Sequence, residues 1–266
     1  MASGLATISS NAIERRFADL RAVSRKAFVP YVTAGHPDRS RSIALLQGLE
    51  AAGADIVEVG VPFSDPLADG AVIQASSQKA LDQGIRFDHV LEIISAAKLS
   101  IPVVLFSYLN PLIRGGDDAL KRAAEAGAHG VLVTDLPLGA DPQLETWFAE
   151  SPLDFIRLVA PTTPSDRMRQ IAHTGSGFVY LISRLGVTGE QASLSAELPT
   201  TAARLRAATS LPLCIGFGIA TPDQARAAAA LGDGVVVGSA IVRAAEESVE
   251  SAVALAVALR RGIDGA

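Results

Sequence analysis

In the stretch "DIVEVGVPFSDPLADG", residues 55–70, Glu58 interrupts an apolar run and two aspartates, Asp65 and Asp69, follow in a turn. A carboxylate left unpaired in a protein interior costs several kcal/mol, so a glutamate in a buried strand needs a reason. Strand alternation puts Ile56, Glu58 and Gly60 on one face and Val57 and Val59 on the other. The valines suit a layer of covering helices, which turns Glu58 toward the opposite side. There its pKa rises, and it can give or take a proton; the alternative is a glutamate satisfied by neighbouring backbone and serving structure alone. The loop "VPFSDPLADGAVIQ" is longer than an ordinary strand-to-helix connection, and such loops are often functional. Either aspartate alone reads equally well as a turn former. Asp69 gains weight from sharing an end of the fold with an inward Glu58.

A second candidate site lies in the glycines. "GFGI" at 216–219 precedes a helix start at Thr221, and "GSA" at 238–240 opens another helix. Backbone N–H groups at such turns and helix N-termini hold phosphate, although the same glycines also serve tight turns. "SRLGVTGE" sets Gly186 and Gly189 around Val187 and Thr188 and reads either as a lid over a substrate or as an ordinary flexible loop.

Sugar phosphates are commonly cleaved through a Schiff-base lysine or a metal ion, and the sequence places neither at this end of the fold. Lys26 precedes a strand, and Lys79, Lys98 and Lys121 lie on or beside helices. His36, His89, His129 and His173 do not cluster, so no metal site is expected. An acid/base pair with a phosphate site leaves two reactions open. One is isomerisation or epimerisation by proton shuttling. The other is a carbon–carbon cleavage whose substrate supplies its own electron sink, as an indole protonated at C3 would.

The elements that must position these groups are legible as eight short β-rich runs: 27–33, 54–60, 102–108, 130–135, 154–160, 177–183, 211–217 and 234–238. Between them lie helical patterns such as Ser40 to Ala52, Asp117 to Ala126 and Pro222 to Ala230. "TPSD" from Thr163 and "TPDQ" from Thr221 both read as an N-cap, a proline at the first helical position and a capping partner. "AGADIVEV", "AGAHGVLV" and "LGDGVVVG" echo one another as helix end, glycine and strand start. Eight such units fit an α/β fold of the (β/α)8 TIM-barrel type better than an open doubly wound sheet, whose glycine fingerprint is missing after the first strand. Function is then expected at the C-terminal ends of the strands.

Composition agrees with one domain over residues 1–266: 49% hydrophobic and 19% charged, with no shift that marks a boundary. The net charge of −5, with scattered Lys and Arg, argues against nucleic acid or an anionic membrane as main partner. The apolar runs are too short to span a bilayer and the N-terminus has no apolar signal core, so a cytoplasmic location is expected. Cys214 is the single cysteine and sits in an apolar run, which excludes an internal disulfide.

The chain resembles the tryptophan synthase α subunit from "IERRFADL" (13–20) to its last helix. The most specific match is "EVGVPFSDPLADG" (58–70), joined in order by "FVPYVTAG" (28–35), "YLNP" (108–111), "VTDLP" (133–137), "YLISRLGVTG" (180–189), "GFGI" and "GSAIV" (238–242). The resemblance implies a barrel with an extra N-terminal helix that cleaves indole-3-glycerol phosphate to indole and glyceraldehyde 3-phosphate by a retro-aldol reaction. Carried over residue by residue, Glu58 is the general acid/base and Asp69 the carboxylate that accepts the indole N–H. Tyr180 lines the site beside the glutamate; Gly189, Gly218, Gly238 and Ser239 fall on phosphate-binding positions. Thr188 is the lid threonine and Arg184 belongs to the same lid, whereas Tyr31, Phe217, Leu132 and Tyr108 match positions at or near the indole pocket. Asp65 and Pro66 belong to the surface that meets a β subunit in an αββα complex with an indole tunnel. No cofactor is expected in this chain; pyridoxal phosphate is expected in the β partner.

Three positions depart from the family pattern: Ala71 where proline is usual, His36 where aspartate is usual, and Ser107 before Tyr108. None removes a catalytic position, and Ala71 is expected to loosen the loop that presents Asp69. A stand-alone lyase releasing free indole would carry the same motifs. The "PFSDPLADG" loop speaks against an isomerase, and Glu58 with Asp69 speaks against a degenerate, non-catalytic barrel.

Overall fold

A computed structural model of the chain describes residues 12–182, 196–216 and 218–265. Eight parallel strands, β1 (Ala27–Thr33), β2 (Val57–Gly60), β3 (Val103–Ser107), β4 (Gly130–Val133), β5 (Asp154–Val159), β6 (Val179–Ile182), β7 (Leu213–Gly216) and β8 (Gly234–Val237), pair in sequence order and close β8 onto β1. The helices are α1 (Ala12–Ala22), α2 (Arg39–Ala51), α3 (Ala71–Asp82), α4 (Phe87–Ala97), α5 (Leu109–Arg114), α6 (Ala119–Glu125), α7 (Pro142–Ala149), α8 (Ser165–His173), α9 (Leu198–Ala208), α10 (Pro222–Ala229), α11 (Ser239–Glu247) and α12 (Val249–Asp264). This is the TIM barrel expected from the alternation of runs.

Two apolar clusters follow from the period of two along each strand. Val57 and Val59 of β2 join the layer between strands and helices. Ile56, Val104, Leu132, Ile156, Phe178, Cys214 and Val236 point the other way and fill the barrel. The N-terminal end of that interior is closed by α1, whose Ile13, Phe17 and Leu20 recur at helical spacing; Phe17 meets Phe178 with ring centroids 5.9 Å apart.

A buried carboxylate fixes that lower end. Asp55 accepts from the Phe28 N–H at 2.9 Å, from Arg260 at 2.8 Å and from Arg16 at 2.5 Å, tying α1, β1 and α12 to the segment entering β2. With three donors on two oxygens, its desolvation is offset on the spot.

The helix-start signals divide. Thr221 caps α10 and forms a reciprocal capping box with Gln224, as the sequence predicts. The "TPSD" start differs: α8 begins at Ser165 with an extended Pro164 flanking it. Thr163 instead turns its hydroxyl back to accept the Ala160 N–H at 3.2 Å, a local bond that competes with capping.

Candidate active site

Glu58 stands on β2 with 1% of its surface exposed, in register with Tyr31 on β1 and Val104 on β3. Its orientation is the inward one that alternation requires. Its Oε1 is buried without a hydrogen-bond partner, in contrast to Asp55 three residues earlier. Burial alone pushes the Glu58 carboxyl up to about 8, so it carries a proton at neutral pH.

Asp69 comes from the loop between β2 and α3. The loop folds back on itself: Asp69 N–H donates to Pro66 O at 3.0 Å, and Gln74 Nε2 donates to the Asp69 carbonyl at 2.9 Å and to the Pro66 carbonyl at 3.3 Å. The Asp69 side chain is buried and receives the Tyr108 hydroxyl at 3.1 Å; Tyr108 in turn accepts the Ala68 N–H at 2.9 Å. Burial raises the Asp69 carboxyl to about 6, against the lowering pull of the Tyr108 bond. At neutral pH the site therefore holds one protonated and one ionised carboxyl.

Two tyrosines lie in the field of both carboxylates. Tyr31 and Tyr180 are buried, and each has its phenol pushed up chiefly by burial, with Asp69 and Glu58 adding to the shift. Each hydroxyl sits over a glycine on the next strand: a Cβ on Gly60 would stand 2.0 Å from the Tyr31 hydroxyl, and one on Gly216 2.2 Å from that of Tyr180. Only glycine admits those rings.

The remaining predicted residues fall as follows. Leu132 lies in the barrel interior between Phe106 and Ile156 in register. Gly218 follows β7 with φ +79°, in the left-handed region. Gly238 and Ser239 form the start of α11, and a Cβ on Gly238 would lie 3.7 Å from Tyr31, which places that helix N-terminus beside the tyrosine. Asp65 and Leu67 are exposed on the outer side of the loop, Leu67 at 79%, and Pro66 is half-buried between them. Arg184, Thr188, Gly189 and Phe217 lie outside the described residues.

Sequence reasoning placed Tyr108 at the indole pocket but did not foresee its bond to Asp69. The two are 39 residues apart, and no local pattern joins them. Three histidines make local polar contacts: His129 Nδ1 accepts the Val103 N–H at 3.3 Å, His89 Nδ1 accepts the Arg86 N–H at the start of α4, and buried His36 lies 3.0 Å from Glu246, whereas His173 is exposed at the end of α8. Among the described residues, no group of three His, Cys, Asp or Glu side chains could hold a metal ion.

Comparison with known proteins decides among the open reactions. The family model described as "Tryptophan synthase alpha chain" matches residues 17–261. The chain belongs to the tryptophan synthase alpha chain family. It is 48% identical over 242 residues to the tryptophan synthase alpha chain of Desulfatibacillum aliphaticivorans, covering 90% of this chain and 91% of that one. It is 44% identical over 238 residues to that of Carboxydothermus hydrogenoformans, covering 88% and 89%. Among solved structures, tryptophan synthase from M. tuberculosis in an aminoacrylate-bound form superposes with a TM-score of 0.86 at 33% identity, covering 95% of this chain and 99% of that one. Tryptophan synthase subunit alpha from Legionella pneumophila gives the same TM-score and identity with 96% and 99% covered. Family membership makes the chain a carbon–carbon lyase of tryptophan biosynthesis that cleaves indole-3-glycerol phosphate.

Proposed function

We propose that Glu58 is the proton-transfer group of this lyase and Asp69 the carboxylate that holds the ring nitrogen. The observation that carries the reading is the pairing of a buried Glu58, its Oε1 without a hydrogen-bond partner and its carboxyl near 8, with an Asp69 whose carboxyl is near 6. Environments that push two carboxyls apart separate an acid from an anion. Neutral Glu58 delivers its proton to indole C3 and breaks the aromaticity of the five-membered ring. Ionised Asp69 accepts the indole N–H and stabilises the positive charge that forms there. The Glu58 carboxylate then takes the proton of the glycerol hydroxyl next to the ring. The carbonyl of glyceraldehyde 3-phosphate forms, the carbon–carbon bond breaks, and its electron pair restores the aromatic ring. One group gives and regains one proton, so the cleavage needs no net acid or base.

Tyr180 lines the site beside the glutamate, and Tyr31, Leu132 and Tyr108 lie at or near the indole pocket. Gly218, Gly238 and Ser239 receive the phosphate, at a helix N-terminus whose dipole favours an anion. Thr188 and Arg184 are proposed for the lid, Gly189 for the phosphate and Phe217 for the indole pocket, on the family pattern alone.

The chain is proposed as a single domain acting in the cytoplasm with a β subunit, as αββα. Exposed Leu67, beside Asp65 and Pro66, and half-exposed Ile113 on α5 support this loop side as the partner face. Pyridoxal phosphate belongs to that partner in this reading, since all four lysines of this chain lie away from the upper strand ends. No helix among the described residues is long and apolar enough to cross a membrane.

The test is indole release from indole-3-glycerol phosphate by the purified chain, with and without a β subunit. Weak activity alone and strong activation by the partner are expected. Glu58→Gln is expected to lose most turnover and keep phosphate binding. Full activity in that variant overturns the role of Glu58, and high partner-free turnover favours a stand-alone lyase.

A further inference from the structure

The stretch "VTDLP" (133–137) has one charged residue, Asp135, and the structure joins it to "YLNP" (108–111). Just beyond β4, Asp135 Oδ1 accepts the Leu109 N–H at 2.7 Å. That N–H is the first of α5, so the helix itself has no acceptor for it. The carbonyl of the same peptide, that of Tyr108, accepts the Ser107 hydroxyl at 2.7 Å. Both polar ends of the peptide between Tyr108 and Leu109 are therefore held. The strands bring the two segments together, since the Thr134 N–H donates to the Ser107 carbonyl at 3.0 Å just before these contacts.

This peptide sets where the Tyr108 ring goes. Tyr108 flanks α5 in an extended conformation, and a helix of six residues is too short to fix its own start. The ring lies against Phe63 with centroids 5.0 Å apart; its hydroxyl accepts the Ala68 N–H at 2.9 Å and donates to Asp69 at 3.1 Å. The last contact already lies just beyond the usual O–H···O range of about 2.5–3.0 Å, so a small displacement of the ring removes it.

We propose that Asp135 is a positioning residue for the lyase reaction: by accepting the Leu109 N–H it fixes the peptide after Tyr108 and so aims the Tyr108 hydroxyl at the Asp69 carboxylate. A donor held on a carboxylate favours its ionised form, which is the form that holds the ring nitrogen. The titratable groups in the field of Asp69 are Tyr108 itself, Tyr31 on β1 and Tyr180 on β6, all held neutral chiefly by burial. Glu58 on β2 shares the field of Tyr31 and Tyr180 and carries a proton at neutral pH. The significance of this role for turnover rests on the assignment of Asp69 made above; the effect on its ionisation does not.

The Asp69 carboxyl is titrated directly in the full-length protein by 13C NMR with carboxyl-labelled aspartate, its resonance identified from Asp69→Asn. The pH profile of indole release is measured in parallel. Asp135→Ala is expected to raise the Asp69 midpoint by about 0.5 pH unit, a part of the effect of one ordinary hydrogen bond. Asp135→Asn keeps an acceptor for the Leu109 N–H without the charge, and its midpoint is expected to match the wild type. In a Tyr108→Phe background, Asp135→Ala is expected to add nothing, because both changes act through one bond. The acid limb of turnover should follow the midpoint in each variant. The proposal is overturned if Asp135→Ala leaves the midpoint in place or lowers it, if Asp135→Asn moves it as far as the alanine does, or if the two shifts add in full. A raised midpoint without a moved acid limb supports the proposal and removes Asp69 as the group behind that limb.

Discussion

Asp55 and Glu58 are both buried carboxylates, three residues apart in the chain, yet the fold treats them in opposite ways. Asp55, just before β2 at the lower end of the barrel, is covered by a backbone N–H and two guanidinium groups. Glu58 lies at the upper end with an oxygen that nothing satisfies. The difference teaches where the barrel places stability and where it places chemistry. A carboxylate enclosed by donors holds elements together, whereas one buried without a partner keeps its proton and can deliver it.

Breaking the lower carboxylate should show the larger effect on folding. Asp55→Ala leaves Arg260 buried with its strongest remaining partner at Asp264, and removes the anchor shared by α1 and α12. A loss of about 3–5 kcal/mol in unfolding free energy is expected from chemical denaturation, with turnover per folded molecule retained. An equal loss of turnover in the folded fraction would erase the distinction between the two ends.

The upper carboxylate should show itself through pH. The Glu58 carboxyl is raised from 4.5 to about 8, so the native state holds a proton that the unfolded chain releases. Its contribution to stability is fully present below about pH 4.5, declines as pH rises, and is gone above about pH 8. Unfolding curves of wild type and Glu58→Gln across this window should diverge, with the wild type losing ground as pH increases. Parallel curves would mean that Glu58 is ionised in the folded protein.

The smallest effect is expected at Tyr108. Its bond lowers the Asp69 carboxyl, so Tyr108→Phe should raise it above about 6. Asp69 must be ionised to hold the ring nitrogen, and the acid limb of turnover should move to higher pH by about 0.5 to 1 unit. An acid limb that stays in place would separate Asp69 from that limb.

Much of this contrast was legible in the amino-acid sequence, and the part that was not has a physical reason. The inward aim of Glu58 follows from alternation against Val57 and Val59, because the period of a strand is local. The closure of eight strands follows from repeated helix-to-strand units. Asp55 carries no comparable signature: its partners Arg16, Phe28 and Arg260 come from three distant segments, the last 205 residues away. The same holds for Tyr108 with Asp69 and for Thr33 with Ser76, 43 residues apart, since tertiary contacts leave no pattern in either string alone. Thr163 was misread for a different reason. Its hydroxyl had two local backbone donors to choose from, and the loop's Ala160 took it instead of the helix.

The most direct test is to measure, in Glu58→Gln, both the cleavage of indole-3-glycerol phosphate with the β subunit present and the unfolding free energy at neutral pH. The account predicts a fall in turnover of about 100- to 10,000-fold, the usual contribution of a positioned acid/base, in a protein at least as stable as the wild type. Turnover near the wild-type rate, or a lost rate that merely tracks lost folding, would contradict it.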